Sequence, residues 1–333
     1  MTAVNPTIQV AIIGCGNIGA GVSNYSAAVR PGSHADAYRL RDDVEIVGLL
    51  ETSTERQVYL EKEYPGVPIF ESIEALFAVA SPDIVSIASP TQFHAEHVLA
   101  VAAYAPKAIL CEKPLAYTQE DGEKMVATCK EKGIKLFVNH QRHFDPLLQK
   151  WAGKLHNGLL GNLYQGNAYY YNGLFNNGTH LVDILRIFCG EVVSVSGVYN
   201  ERTSNNGELD KNIDGELIFE SGLRVTLHSL SKNYGFFGFS LFGDDGMLSV
   251  QNLGFEVAYR KKIDNKNFPG FFELSQDAVI EGKPRSMIQA TIDHVIAVVR
   301  DGISSYGTGE DALAVLTTLL AIERSAKEKE KNV

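Results

Sequence analysis

Cysteine pairs, an excess of basic charge and long apolar runs are all missing from this 333-residue sequence. Its four cysteines form no Cys-x-x-Cys pair, which argues against the common zinc and dithiol sites. Lys and Arg number 30 against 40 Asp and Glu, and the net charge of -10 repels phosphate backbones and anionic membrane surfaces. No apolar run approaches the roughly 20 residues of a membrane span. We therefore expect neither a nucleic-acid partner nor a membrane partner.

The amino terminus also lacks the pattern of an export signal. Met1–Thr7 contains no basic segment and no cleavable apolar stretch, so we expect a cytoplasmic protein. Hydrophobic residues make up 45% of the chain and charged residues 21%, which is typical of a globular protein. At roughly 100–200 residues per domain, the length predicts two domains.

The first 140 residues alternate strand-like and helix-like segments. Strands that alternate with helices predict a doubly wound parallel sheet with helices on both faces. One helix candidate begins at Ser72, and two others span His94–Tyr104 and Thr118–Lys132. The strand candidates are Ile8–Ile13, Val44–Leu50, Pro68–Phe70, Asp83–Ala88, Lys107–Cys111 and Lys135–Val138.

After residue 150 the pattern changes to β-rich runs that no long helix interrupts. One helix candidate, Thr179–Phe188, precedes them, and two more close the chain. We predict an α/β protein with a first domain over residues 1–140 and an α+β domain with an open, largely antiparallel sheet over residues 141–333. The closing helices have the apolar spacing to pack back on the first domain. The β-rich runs are Val192–Tyr199, Gly215–Phe219, Leu223–Ser229, Phe236–Phe242, Met247–Val250 and Phe255–Arg260.

The first predicted strand runs directly into the segment GCGNIG, which begins at Gly14. A G-x-G-x-x-G that follows an apolar strand and opens a helix indicates a dinucleotide site. Gly14 permits the tight turn, Gly16 lets the backbone approach a pyrophosphate, and Gly19 lets the helix pack closely. Asn17 and Ile18 belong to the helix N-terminus that favours the anion.

The second predicted strand ends at Glu51. A carboxylate there accepts the ribose hydroxyls of adenosine and repels a 2′-phosphate, which favours NAD over NADP. Arg56 is close enough in sequence to keep NADP as an alternative. The segment from Gly19 to Glu51 is longer than one helix needs, and the extra stretch, Asn24–Ser33, is either a loop over the cofactor or a surface insertion.

Three polar stretches follow predicted strands of the first domain. Ligands of open α/β sheets bind at the carboxyl ends of the strands. His94 is expected to cap a helix near the nicotinamide or else to be a solvated surface histidine. The residues that we assign to the cofactor here are Ser89, Pro90, Thr91, His94, Glu112 and Lys113.

Two histidine pairs have the spacing of metal ligands. They are His94 with His97 and His140 with His143. Neither pair has a third ligand at suitable spacing, so no metal site is predicted.

These motifs, in this order, resemble the glucose–fructose oxidoreductase/inositol dehydrogenase family, often called Gfo/Idh/MocA. The resemblance rests on the glycine turn, the Ser-Pro-Thr stretch with its following histidine, and the segments CEKPLA, VNHQRHF, GNLYQGNAYYY, NNGTHLVDILRIF and YGTGEDALAVLTTLLAIERS. It implies a Rossmann domain, then a domain with an open β-sheet. It also implies NAD(P)-dependent oxidation or reduction of a CH–OH group in a sugar, polyol or nucleotide-sugar, and a homodimer or homotetramer.

The resemblance places the family's catalytic lysine on Lys113 and its acid/base histidine on His180. Lys113 would donate a proton to the reacting oxygen or, if desolvated, act as the base, and His180 would exchange the proton. Asn176 is also a candidate for substrate binding. Arg142 either contacts substrate or forms a structural salt bridge, and Asp183 either binds substrate or orients His180. Asn176 is a departure, because the family often has an acid four residues before the histidine. An amide can bind a hydroxyl, but it has no charge to hold the pKa of a histidine.

Two other functions stay open from the sequence. Some members of this fold family are glycosidases that use bound NAD for a transient oxidation, and turnover without net nicotinamide change would reveal that activity. The second is a regulator that binds nucleotide without catalysis. Its nucleotide-linked binding of a partner would survive the substitution Lys113→Ala.

Overall fold

The computed structural model describes residues 7–21, 25–204, 210–233 and 235–330, which form two compact units. The first unit comprises the chain up to Phe144 together with Arg285–Leu316. The second comprises Asp145–Pro284 and the chain from Thr317 onward. Asn24, where the predicted extra stretch begins, lies outside the described residues.

The first unit contains a parallel sheet of six described strands. Their order is β3-β2-β1-β4-β5-β6, so the chain reverses direction across the sheet between β1 and β4. This is the predicted doubly wound arrangement. Short apolar runs form its centre, since every residue of β4 and β5 is buried. The strands are β1 (Ile8–Ile13), β2 (Val44–Leu50), β3 (Ile69–Phe70), β4 (Ile84–Ile87), β5 (Ala108–Cys111) and β6 (Lys135–Val138).

Helices connect these strands, and several begin at a serine or threonine cap. The side-chain oxygens of Ser33, Ser53, Ser72 and Thr118 each accept a hydrogen bond from a backbone N–H of the first helical turn. The helices are α1 (Asn17–Ala20), α2 (His34–Arg39), α3 (Thr54–Glu63), α4 (Ile73–Val79), α5 (His94–Ala102) and α6 (Gln119–Glu131).

A helix from the far end of the sequence completes the core of the first unit. This helix, α9 (Met287–Asp301), begins at Ser286, whose hydroxyl caps it. The apolar spacing that predicted it places Ile288, Ile292 and Val295 in the same buried cluster as β1 and β2. The core of this unit therefore includes residues far apart in sequence.

The second unit is built on a mixed sheet. Within the described residues the pairings are antiparallel except for β10 with β7, which are parallel. The predicted largely antiparallel sheet is therefore confirmed. Its strands are β7 (Leu163–Tyr171), β8 (Val192–Tyr199), β9 (Ile213–Phe219), β10 (Arg224–Leu230), β11 (Gly238–Gly243), β12 (Gly246–Gln251), β13 (Glu256–Asp264), β14 (Phe272–Leu274) and β15 (Val279–Gly282).

Helices α7 (Pro146–His156), α8 (Thr179–Cys189) and α10 (Gly309–Glu330) complete the description. Asp145 caps α7 by accepting from the N–H groups of Leu147 and Leu148. Helix α8 ends at Gly190, as predicted, where φ is +87°. None of the described helices is long and apolar enough to cross a bilayer.

We expect Leu49→Ala to lower the free energy of unfolding by about 2–5 kcal/mol, because truncating a buried leucine leaves a cavity. Leu49 is 0% exposed in the core of the first unit. Leu40→Ala is the matched control, since Leu40 is 67% exposed, and it should change stability by no more than about 0.5 kcal/mol. Urea titrations followed by circular dichroism measure both. Equal losses would contradict this placement of Leu49.

Candidate active site

A cleft of about 940 Å³ borders the carboxyl edge of the parallel sheet. The turns after β1, β2, β4 and β5 contribute to its lining, as expected for a doubly wound sheet. Of the predicted cofactor residues of this unit, only Gly19 does not line the cleft. The residues that the structure brings together along the cleft are Gly14, Gly16, Asn17, Ile18, Glu51, Ser89, Pro90, Thr91, His94, Glu112 and Lys113.

The glycine turn is shaped by close backbone packing. Gly14 has φ of +84°, and a Cβ there would lie 2.5 Å from the Ser89 nitrogen. A Cβ at Gly19 would lie 2.0 Å from the Gly14 oxygen. At Gly16, by contrast, a Cβ would meet nothing within 4 Å. The turn therefore leaves open space at the position where a pyrophosphate would approach, and the residues present fit a dinucleotide.

Glu51 is tied to the glycine turn as well as to the cleft. Its Oε2 accepts from the Cys15 N–H at 3.2 Å, and its Oε1 accepts from the Ser53 N–H at 2.9 Å. These two bonds orient the carboxylate at the end of β2, where it lines the cleft. Its position is the one from which a carboxylate accepts ribose hydroxyls.

Arg56 is directed at the backbone of the same turn. Its Nε donates to the Cys15 carbonyl at 2.7 Å, and its Nη2 donates to the Ala20 carbonyl at 3.0 Å. Its guanidinium also lies 4.1 Å from the ring centroid of Tyr59, in cation–π range. Arg56 therefore supports the glycine turn, and two of its nitrogens are committed to carbonyls.

His94 is neither a helix cap nor a solvated histidine, so both sequence expectations for its environment are wrong. The side chain is 1% exposed and makes no capping bond, although α5 begins there. Its Nδ1 lies 2.9 Å from the Pro114 carbonyl oxygen and its Nε2 lies 3.0 Å from the Ser89 carbonyl oxygen. Burial lowers the pKa of His94, against the smaller opposing effect of these carbonyls. The ring thus links the end of β4 to the Lys113–Pro114 turn, whose peptide bond is cis.

Glu112 is a buried carboxylate with hydrogen-bond donors on both oxygens. Its Oε1 lies 3.0 Å from His34 Nε2 and accepts from Asn139 Nδ2 at 2.5 Å, and its Oε2 accepts from the Lys113 N–H at 3.2 Å. Burial alone would raise the pKa of Glu112. The hydrogen bond and charge of His34, the Asn139 amide and the Lys113 charge outweigh burial and lower the pKa of this carboxyl.

His34 and Asn139 were not assigned a role from the sequence. His34 lies at the start of α2, directly after the stretch that was predicted to be a loop or an insertion. It is separated from Glu112 by 78 residues, and Asn139 is separated by 27. A histidine after a capping serine is an ordinary helix start, so no sequence signal distinguishes this one.

In the second unit, His180 and Asp183 lie three residues apart on α8 and are 8% and 1% exposed. The turn before α8, Leu174–Gly178, is a π-helical turn, a form that is frequent at functional sites. Asn176 lies in this turn, and its Nδ2 donates to the Asn172 carbonyl at 3.1 Å. The shared face of His180 and Asp183 follows from their spacing.

A carboxylate is present at this turn, although residue 176 does not supply it. Asp210 accepts from the N–H of Phe175 at 2.9 Å and from the N–H of Asn176 at 2.8 Å. Asn212 Oδ1 accepts from the N–H of Gly173 at 2.8 Å. Sequence reasoning missed both residues, because they lie more than 30 positions after the turn that they hold.

Arg142 belongs to the first unit, in the 3₁₀ turn Gln141–Phe144 that follows β6. It is half-buried, and its substrate role stays a prediction. His143, in the same turn, stacks on Tyr306 with ring centroids 5.8 Å apart. Among the residues that the structure describes, no group of three or more His, Cys, Asp or Glu side chains is arranged to hold a metal ion.

Comparison with known proteins agrees with this fold. Residues 8–140 match the family model described as "Oxidoreductase family, NAD-binding Rossmann fold", and residues 155–249 match the "GFO/IDH/MocA C-terminal domain". A D-glucoside 3-dehydrogenase of Escherichia coli (strain K12) is 31% identical over 48% of this chain and 42% of that protein, so the chain spans less than half of that relative. A D-apiose dehydrogenase of Paraburkholderia graminis is 25% identical over 89% of this chain and 84% of that protein.

The solved structures give the same fold. The WlbA dehydrogenase from Bordetella pertussis, in complex with NADH and UDP-GlcNAcA, superposes with a TM-score of 0.76 over 97% of each chain. It is 21% identical to this chain, so the likeness concerns the fold alone.

We expect Glu112→Gln to destabilise the protein more at neutral pH than in acid. The pKa of Glu112 is lower in the folded chain than in the unfolded chain, so ionisation stabilises the fold above the usual glutamate value of about 4.3. That contribution is lost as the pH falls through the lower folded pKa. Urea titrations between neutral pH and pH 3 should show the difference between wild type and variant shrinking toward acid.

The matched control for this experiment is Glu45→Gln, since Glu45 is exposed on β2. It should change the free energy of unfolding by the same small amount across this pH range. A Glu112→Gln effect that does not depend on pH would contradict a folded-state carboxylate held in its ionised form.

Proposed function

The chain belongs to the Gfo/Idh/MocA oxidoreductase family, and on that premise we propose that it transfers hydride between NAD and a CH–OH carbon of a sugar, polyol or nucleotide-sugar. The observation that carries the proposal is the cleft that gathers the glycine turn, Glu51 and Lys113 at one sheet edge. The names of relatives such as D-glucoside 3-dehydrogenase and D-apiose dehydrogenase support a carbohydrate substrate. A bound nicotinamide would supply the hydride acceptor or donor.

Glu51 and Arg56 support NAD rather than NADP. The Glu51 carboxylate would accept the adenosine ribose hydroxyls, and its charge would repel a 2′-phosphate. Arg56 is close to Glu51 in sequence, and for that reason it was the candidate partner for a 2′-phosphate. Because its Nε and Nη2 donate to the Cys15 and Ala20 carbonyls, it is poorly placed to offset that repulsion.

Lys113 and His180 are the residues to which we assign the proton chemistry. Oxidation of a carbinol requires that its hydroxyl lose a proton while charge develops on the oxygen. The Lys113 ammonium would donate to that oxygen, and His180 would take up the proton. Asp210 accepts from the Asn176 N–H at the turn before α8, and its carboxylate would supply the negative charge that Asn176 lacks. This supports an active enzyme rather than a nucleotide-binding regulator.

We expect NADH to bind at least tenfold more tightly than NADPH, about 1.4 kcal/mol, because Glu51 repels the 2′-phosphate. Fluorescence titration of the purified protein with each nucleotide measures this ratio. Glu51→Gln should narrow the ratio, since it removes the charge and one strong acceptor. Glu61→Gln, at an exposed position on α3, is the control and should leave it unchanged. Tighter binding of NADPH would overturn the role of Glu51 and leave the dehydrogenase proposal standing.

We expect Lys113→Ala to lower kcat by about 10²- to 10⁴-fold, the range for loss of a general acid or base. The assay follows NADH formation during a screen of sugars, polyols and nucleotide-sugars, and His180→Asn should show a loss of the same order. Lys107→Ala is the matched control, because Lys107 directly precedes β5 while Lys113 follows it, and the Lys107 side chain is 65% exposed and paired with Asp83.

Three results would contradict this assignment. Lys113→Ala with nearly wild-type kcat would remove the lysine from the chemistry. Substrate turnover without net nicotinamide change would favour a glycosidase. Failure of both nucleotides to bind, with none released on denaturation, would overturn the enzyme proposal as a whole.

A further inference from the structure

A buried chain of polar side chains lies behind Lys113 in the first unit. Tyr38 Oη lies 2.9 Å from Ser86 Oγ, which lies 3.1 Å from His34 Nδ1. His34 Nε2 in turn lies 3.0 Å from Glu112 Oε1. Tyr38, Ser86 and His34 are each 0% exposed, and Glu112 is 9% exposed. At Tyr38, therefore, this series of hydrogen-bonded side chains ends in the interior of the protein and not at its surface.

The hydrogen bonds to Glu112 have a fixed direction. An ionised carboxylate is an acceptor only, so His34 Nε2 carries a hydrogen and donates to Glu112. On its other side His34 Nδ1 pairs with the Ser86 hydroxyl, which in turn pairs with the Tyr38 hydroxyl. Asn139 also donates to Glu112 Oε1, and the Lys113 N–H donates to Oε2. Three donors from different parts of the sequence thus point at the Glu112 carboxylate.

The Lys113 charge acts on Glu112 in addition to the stronger effects of His34 and Asn139. Four titratable side chains interact electrostatically with the Glu112 carboxyl: His34, Lys113, His94 and Cys111. Burial lowers the pKa of His94 and raises the pKa of the Cys111 thiol, so both are neutral near pH 7. The Lys113 backbone N–H contacts the carboxylate of Glu112, and the Lys113 ammonium acts on that carboxylate as an opposite charge.

We propose that His34 is a positioning residue for Lys113. Its Nε2–H holds the Glu112 carboxylate ionised and fixed, and that carboxylate keeps the neighbouring lysine in its ammonium form. The inference rests on the proposed function in so far as Lys113 donates to the reacting oxygen. Burying an ionised carboxylate is unfavourable unless hydrogen bonds and an opposite charge offset the loss of water. Loss of the His34 donor would therefore favour protonation of Glu112 and weaken its hold on Lys113.

The segment before α2 serves this arrangement. Ser33 caps α2 by accepting from the Asp36 N–H at 3.3 Å, which sets the position of His34 in the first turn. The Ser286 hydroxyl at the start of α9 donates to the Pro31 carbonyl at 2.7 Å. The part of the extra stretch that the structure describes is thus anchored to the core and leads the chain to His34. Its role is to deliver a side chain to the far side of Glu112.

The test compares two amides at position 34. In His34→Gln the side-chain N–H₂ reaches about as far as Nε2 and keeps the donor to Glu112. In His34→Asn the amide reaches only as far as Nδ1, toward Ser86. Both variants are polar, so they differ chiefly in the Glu112 contact. Tyr64→Phe is the control, because it removes a hydroxyl that donates to Asp36 of the same helix and touches no member of the network.

The direct readout is the titration of Lys113 itself. Lysines are labelled by reductive ¹³C-methylation, and the Lys113 resonance is identified by its absence in Lys113→Arg. We expect the Lys113 titration to move to lower pH by about one unit in His34→Asn, the effect of losing a nearby opposite charge. It should stay at the wild-type position in His34→Gln and Tyr64→Phe.

This readout needs no turnover, so it decides the inference even if no substrate is found. With an active enzyme, His34→Asn should also lower kcat with little change in KM, and the alkaline limb of its pH profile should move to lower pH. An unchanged Lys113 titration in His34→Asn, or equal shifts in both amide variants, would overturn the proposal. If His34→Asn does not fold, Glu112→Gln takes its place: a downward shift supports the electrostatic step, and an unchanged titration overturns it.

Discussion

Parallel pairing of short buried strands is the constraint on which the rest of the first unit depends. It brings the carboxyl ends of β1, β4 and β5 to one edge, and backbone bonds continue past the strand ends. The Ala88 N–H donates to the Ile13 carbonyl, and the Glu112 N–H donates to the Ile87 carbonyl, both at 2.8 Å. The turns that follow are therefore held against each other, and only glycine fits where Gly14 meets Ser89.

Polar groups at this edge are buried, and each needs partners that offset the loss of water. His94 faces two carbonyls, and Glu112 faces three N–H donors from different parts of the chain. A similar arrangement occurs in the second unit at the turn before α8, where Asp210 accepts from two backbone N–H groups. In both units, a side chain distant in sequence completes the hydrogen bonds of a residue that local motifs identify.

Much of the fold and part of the candidate site could be predicted because their causes are local. Apolar runs of four to seven residues, separated by capped helices, indicate a parallel sheet without any knowledge of tertiary contacts. The glycine turn follows from the same logic, since the φ of +84° at Gly14 and the contact of Gly19 with the Gly14 oxygen both arise within a few residues. The environment of His94 was predicted wrongly, because burial depends on how α5 packs and not on the sequence beside it.

The sequence by itself determined the doubly wound sheet, the dinucleotide turn, Glu51 at the end of β2 and Lys113 at the end of β5. Each of these follows from periodicity or steric demand over a short span of chain. Only the tertiary structure decided that Arg56 supports the glycine turn and that Asp210 lies at the turn of Asn176. It also decided that His34 reaches Glu112 across 78 residues. The reason is physical: hydrogen bonds between buried side chains depend on where the backbone brings them, and no local pattern records that distance.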